Sequence, residues 1–119
     1  MKRVLVLGAS ENVTRYSNRA IRSLREHGHE VLALGIREGL VSDVPILIGK
    51  PVFENIDTVT LYLNQENQKQ YYDYLISLKP KRIIYNPGSE NSELENLAEK
   101  NGIENLEACT LVLLATRQF

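Results

Sequence analysis

The chain alternates between short apolar runs and longer stretches in which apolar residues recur every three or four positions. The first run, Val4 to Leu7, stops at Gly8, so Arg3–Leu7 reads as a buried strand. A polar loop, Glu11 to Thr14, follows, and Arg15–His27 reads as a helix with Ala20, Ile21 and Leu24 on one face and Ser17 a turn earlier. Thr14 is the expected N-cap, and Gly28 sits where a left-handed residue ends a helix. Glu30–Leu34 is the second strand. Gly35 to Val44 reads as a polar loop, and Pro45 to Val52 as an edge or irregular segment because of its prolines.

The alternation continues to the end. Asp57–Leu63 reads as a strand with Val59, Leu61 and Leu63 on one side and Thr58, Thr60 and Tyr62 on the other. Asn64 is placed to cap a helix running to about Lys79, with Tyr71, Tyr72, Leu75 and Ile76 inward and Pro80 as its stop. Arg82–Tyr85 is another buried strand, closed by Asn86-Pro87-Gly88. Ser92 and Glu95 have capping-box spacing for a helix to Asn101 that turns Leu94, Leu97 and Ala98 inward. A short strand near Ile103–Leu106 leads to Cys109, and the tail from Thr110 to Phe119 is expected to be helical. Strands alternating with helices predict an α/β domain over residues 1–119: a mostly parallel sheet of about five strands, right-handed crossovers and helices on both faces.

Composition narrows the function classes. At 119 residues the chain is long enough to bury a core without disulfides or metals, and one cysteine excludes an internal disulfide framework. A net charge of -1 argues against broad nucleic-acid binding. No apolar run approaches the roughly 20 residues of a membrane span. The expectation is a cytoplasmic protein that contacts neither nucleic acid nor membrane.

The strand–turn–helix at the N-terminus is the candidate site. A helix start presents unpaired N–H groups and partial positive charge, which attract phosphate. Gly8 permits the sharp turn. Of the dinucleotide pattern G-x-G-x-x-G only Gly8 is present; Ser10 and Val13 hold the other glycine positions, and the Ser10 hydroxyl is a further donor. This points to a nucleotide-type ligand. Catalytic patterns are absent. His27 and His29 flank Gly28 at the far end of the first helix, Cys109 has no evident base beside it, and Glu90, Glu93, Glu95 and Glu99 read as a solvated helix face. The tyrosines at 62, 71, 72 and 74 read as helix–sheet packing.

Four stretches together resemble the small single-domain CoA-binding proteins of bacteria. They are Val6-Leu-Gly-Ala-Ser10 with Asn12, Arg15 and Ser17; Leu24 to Val31; Gly49-Lys-Pro-Val-Phe53 with Ile56-Asp57; and Asn86 to Asn91, Ala98 to Ile103 and Glu107-Ala-Cys109. The resemblance implies a Rossmann-like three-layer sandwich, similar to the CoA-binding domain of the succinyl-CoA ligase α subunit. The chain departs from the family pattern at Gly35-Ile36 after the second strand, at Val13 and at Tyr85-Asn86-Pro87.

The cofactor so implied is coenzyme A or an acyl-CoA. Its pyrophosphate is expected against Gly8, Ala9, Ser10 and Asn12 and the start of the first helix, with Ser17 behind them. Arg15 and Arg37 are the candidate cations for the 3′-phosphate. Arg37 leads because it follows the second strand, where the ribose of such ligands lies, and Lys50 is a third candidate. Tyr16 is expected to pack rather than stack on adenine. Pro87 and Gly88 are expected to line the same crevice, with Glu90 turned away. The reading is a non-catalytic or accessory binding module. A small NAD(P)-dependent oxidoreductase or regulatory domain, and a protein-interaction module with a degenerate site, are the alternatives. A homodimer or another protein is a possible partner.

Overall fold

The computed structural model describes residues 1–119 throughout. Its elements are β1 (Arg3–Leu7), α1 (Tyr16–Glu26), β2 (Glu30–Leu34), β3 (Gly39–Val41), β4 (Val44–Leu47) and β5 (Thr58–Leu61). Next come α2 (Gln65–Gln68), a 3-10 turn (Lys69–Tyr71), α3 (Tyr72–Leu78), β6 (Arg82–Tyr85), α4 (Ser92–Lys100), β7 (Glu104–Glu107) and α5 (Thr110–Ala115). The strands form one sheet of order β3-β4-β2-β1-β5-β6-β7. Every neighbouring pair is parallel except β3 with β4.

Side-chain alternation along the strands decides which helix covers which face. Leu5 and Leu7 of β1, Val59 and Leu61 of β5 and Ile83 of β6 pack with Leu75 of α3 and with Leu94 and Ala98 of α4. The opposite face, Val4, Val6 and Ala33, packs with Ile21 and Leu24 of α1 and Leu114 of α5. Each fully buried Leu, Ile or Val contributes about 1.5–3 kcal/mol through loss of water contact. The outcome is the Rossmann-like three-layer arrangement, with seven strands in place of about five.

The two additional strands are a hairpin inside segments that read as irregular. Val41 pairs with Val44 across a two-residue turn. Ser42 takes a left-handed φ of 56° there, and Asp43 is gripped by the Arg25 guanidinium at 2.9 and 2.6 Å. β4 begins its parallel pairing with β2 only at Ile46, past Pro45, so the missing proline N–H interrupts no bond to β2.

Two helix starts differ from the pattern, and a third helix starts at Asn64 as expected but does not run unbroken. Arg15, not Thr14, is the N-cap of α1; the Thr14 N–H and hydroxyl both turn back to Asn12 Oδ1 at 3.0 and 2.7 Å. Asn91, one residue before Ser92, caps α4 by accepting from the Glu93 and Leu94 N–H groups. The helix expected from Asn64 to Lys79 breaks into α2, the 3-10 turn and α3. Its first half, Gln65 to Gln70, has no apolar stripe to hold it on the sheet, and Gln68 is instead buried and donates to Leu63 O and Ser89 O, both at 2.8 Å.

β1 feeds α1 onto one face, and its neighbour β5 feeds α2 and α3 toward the other. β1 and β5 stay paired to their carboxyl ends, and the connections that leave them run to opposite faces, so a crevice opens above them at a topological switch point.

Candidate functional site

The crevice is a cleft of about 1030 Å³ at the carboxyl edge of the sheet. It brings together every residue nominated from the sequence except Lys50: Gly8, Ala9, Ser10, Asn12, Arg15 and Ser17 from the first loop and α1, Arg37 from the loop after β2, and Pro87 and Gly88 after β6.

Two glycines interlock its floor. Gly8 has a φ of 99°, and a Cβ there would stand 3.1 Å from the Tyr62 carbonyl carbon. Gly35 lies so close to the first loop that a Cβ would fall 2.5 Å from the Ala9 carbonyl oxygen. Between them the Gly8 and Ala9 N–H groups both donate to Leu34 O at 2.9 Å. This alters the expected donor set, because those two amides are already engaged. Asn12 N–H is engaged as well, by Ser10 Oγ at 3.1 Å. The N–H groups left free are those of Ser10, Glu11, Val13, Tyr16 and Ser17, and the Ser10 hydroxyl, acting as an acceptor, keeps its hydrogen. Ser17 is 3% exposed and its hydroxyl has no partner within the chain.

The cations are free too. Arg3, Arg25, Lys69 and Lys81 hold the chain's ion pairs, whereas Arg15 and Arg37 line the cleft without a carboxylate partner. Lys50 does not join them: it donates to Gln70 O at 2.6 Å and lies 5.5 Å from the Tyr71 ring centroid. Tyr16 is 65% exposed on the cleft wall, with the Arg19 guanidinium 5.5 Å from its ring, so it does not pack into the core. Glu11 and Glu38 share the lining with the arginines.

Asn86-Pro87-Gly88-Ser89 forms the far wall. Ser89 N–H donates to Asn86 O at 2.8 Å and Gly88 takes a φ of 93°, the type II turn that Pro-Gly favours. Glu90 turns its carboxylate onto the Gly88 N–H at 2.8 Å, clear of the cleft but using that donor. Asn86 is buried and donates to Thr60 Oγ1 and Leu61 O at 2.6 and 2.9 Å. Burial pushes the Tyr62 phenol up to about 12, so it stays neutral in the physiological range. Cys109, at the N-cap of α5, is half-buried on the cleft rather than sunk in the core.

Tyr62, Leu63, Asn64, Cys109 and Leu111 were not singled out as site residues from the sequence, yet they line the cleft. Tyr62, Leu63, Asn64 and Cys109 follow strands at the carboxyl edge and Leu111 lies in the first turn of α5 beyond them, and that placement rule is the signal that finds them. No histidine lines the cleft; His29 accepts from the Lys2 N–H at 3.0 Å, at the opposite end of β1. No cluster of three metal-ligating side chains forms, and no helix is long and apolar enough to cross a membrane. The arrangement can hold an extended polyanion by amides and guanidinium groups; it assembles no acid–base pair.

A family model described as a CoA binding domain matches residues 2–115. The chain belongs to this family. Among solved structures, a crystal structure of an uncharacterized protein is 48% identical to this CoA binding domain, with a TM-score of 0.97 over 100% of this chain and 98% of that one. Cell-free ID.343 from Thermus thermophilus shares the fold at 22% identity and a TM-score of 0.81, covering 99% and 90% of the two chains. A dinucleotide-forming acetyl-coenzyme A synthetase from Ca. Korarchaeum cryptofilum contains the same fold, at 16% identity and a TM-score of 0.74, over 90% of this chain and 25% of its own. No curated protein matches the chain.

Proposed function

We propose that the protein binds coenzyme A or an acyl-CoA in the switch-point cleft, as a non-catalytic or accessory module. The observation that carries this is the coincidence of free amides from Ser10 to Ser17 with two unpaired arginines in one cleft. In this reading the pyrophosphate takes the amides and the Ser10 and Ser17 hydroxyls. Arg37 takes the 3′-phosphate by a two-point guanidinium contact, and Arg15 adds charge at the α1 start. The pantetheine arm crosses Tyr62 toward Pro87 and Gly88. In this reading the module is a carrier, sensor or subunit that works in the cytoplasm, as a homodimer or with a second protein. The NAD(P) alternative draws less support, because two of the three fingerprint glycines are missing.

A thermal-shift titration with CoA, acetyl-CoA, dephospho-CoA, NAD and NADP tests the reading. At a hundred times its dissociation constant a ligand stabilises the fold by about 2.7 kcal/mol. In a domain of this size that is a rise of order ten degrees. The expected result is a rise with CoA and little with NAD. A rise with NAD or NADP alone points to the oxidoreductase reading, and no rise with any of them to a fold kept for protein contacts.

A further inference from the structure

The first loop is tied to the hairpin by a side chain that the CoA reading leaves without a role. Glu11 reaches 29 residues along the chain to accept the Leu40 N–H at 2.9 Å. The hairpin is shaped to receive it. β3 is the edge strand, and Leu40 lies opposite Pro45, which has no N–H. In an antiparallel ladder a residue turns its N–H and C=O both toward the partner strand or both away. With Val41 and Val44 closing the turn as the bonded pair, Leu40 points its N–H out of the sheet edge, where Glu11 meets it.

Gly39 fits the same contact. A Cβ at Gly39 would fall 2.5 Å from Glu11 Cδ, and its φ is not left-handed, so the close approach of Glu11 is what asks for glycine there. The loop carrying Arg37 is therefore held to the first loop at both ends. Gly35 abuts the Ala9 carbonyl at one end, and Glu11 grips Leu40 at the other. A carboxylate beside an anion site works against binding, since like charges repel. Its tie to the hairpin supplies the reason for its presence.

We infer that Glu11 is a positioning residue for Arg37. It fixes the separation between the free amides of the first loop and the guanidinium, and so sets the preference for a ligand that carries both a pyrophosphate and a ribose phosphate. This rests on the CoA reading above. The test is calorimetric titration of CoA and dephospho-CoA into the wild type, Glu11→Ala, Glu11→Gln, Arg37→Ala and the Glu11→Ala/Arg37→Ala double variant.

Glu11→Ala should cut the preference for CoA over dephospho-CoA by about fivefold or more, within the range for groups that act together, while dephospho-CoA affinity holds or rises because the carboxylate's repulsion is removed. Glu11→Gln keeps an amide oxygen for the Leu40 N–H and should keep the preference. In the Arg37→Ala background Glu11→Ala should remove no further preference. Equal loss of both ligands in Glu11→Ala, or further loss of preference in the double variant, overturns the positioning role and leaves the CoA reading intact. A wild type that binds neither ligand overturns the CoA reading and this inference with it.

Discussion

Asn86 Oδ1 accepts the Thr110 N–H at 2.9 Å, so the residue that follows β6 also holds the first residue of α5, across 24 positions of sequence. The same side chain donates to Thr60 and Leu61, and the Thr60 and Thr110 hydroxyls meet at 2.9 Å. One buried amide thus joins three elements beneath the cleft. Asn86→Ala leaves the Thr110 N–H and the Leu61 carbonyl without this partner in a dry interior, which costs about 2–3 kcal/mol. Asn86→Asp should cost at least as much, because a carboxylate has no hydrogen to give the Leu61 carbonyl. Urea unfolding of both variants checks this; a loss under about 0.5 kcal/mol for either would show that the network is dispensable.

Gly35 should tolerate no side chain. The Cβ of Gly35→Ala would meet the Ala9 carbonyl at 2.5 Å and Ile46 Cγ2 at 3.0 Å, and the nearer contact is backbone that cannot rotate away. Overpacking of this kind costs about 1–3 kcal/mol. Because the strain falls on the first loop, the variant should lose CoA affinity as well as stability. Gly28→Ala is the control: nothing lies within 4 Å of its Cβ, so its cost is the left-handed φ of 81° alone and it should spare binding. Melting and titration of the two variants separate the effects.

His29 makes stability depend on pH. Its Nδ1 accepts the Lys2 N–H, and its ring lies 5.1 Å from that of Phe119. Burial, and then the positive N-terminus, Lys2, His27 and Arg82, hold its pKa below the ordinary 6.5. The folded protein therefore binds this proton less readily than the unfolded chain. The stability it confers is complete above pH 6.5 and is lost as pH falls from there through the lowered value. His29→Gln should flatten the slope of unfolding free energy between about pH 7 and 5. Glu95 works in the opposite sense at lower pH, because burial and Glu107 hold its carboxyl above the usual range. The wild-type minus His29→Gln difference isolates the histidine, and identical slopes would remove it as the cause.

The fold was largely legible because β1 and β6 carry apolar runs too short for helices. Val4 to Leu7 and Ile83 to Tyr85 are buried on both faces, and Gly8 ends the first while Asn86-Pro87 ends the second. The hairpin was hidden because β3 is three residues long and its turn, Ser42-Asp43, lacks the Asn-Gly or Asp-Gly signal. The α4 cap was misplaced by one residue because Asn91 and Ser92 are both good caps, and the buried Asn91 side chain is claimed by Gln68 and Tyr72 as well. At the site, Gly8 marked the loop. Which amides remain free was not legible, since that depends on the Leu34 carbonyl reaching Gly8 and Ala9 from the next strand. The walls at Tyr62 and Cys109 come from distant sequence for the same reason.

Arg37 is the residue on which ligand identity turns. It is exposed, follows β2 on the cleft wall and has no carboxylate partner, so its removal leaves no orphaned charge and should not unfold the protein. A guanidinium on a phosphate contributes about 1.5–3 kcal/mol. Arg37→Ala should therefore weaken CoA by about ten- to a hundredfold while dephospho-CoA, which lacks the 3′-phosphate, changes little. Arg37→Lys keeps the charge but not the two-point geometry and should recover part of the loss. Calorimetric titration at fixed salt reads all of these, because screening alone changes the strength of an exposed contact. Equal weakening of both ligands would remove the 3′-phosphate from Arg37 and transfer the assignment to Arg15.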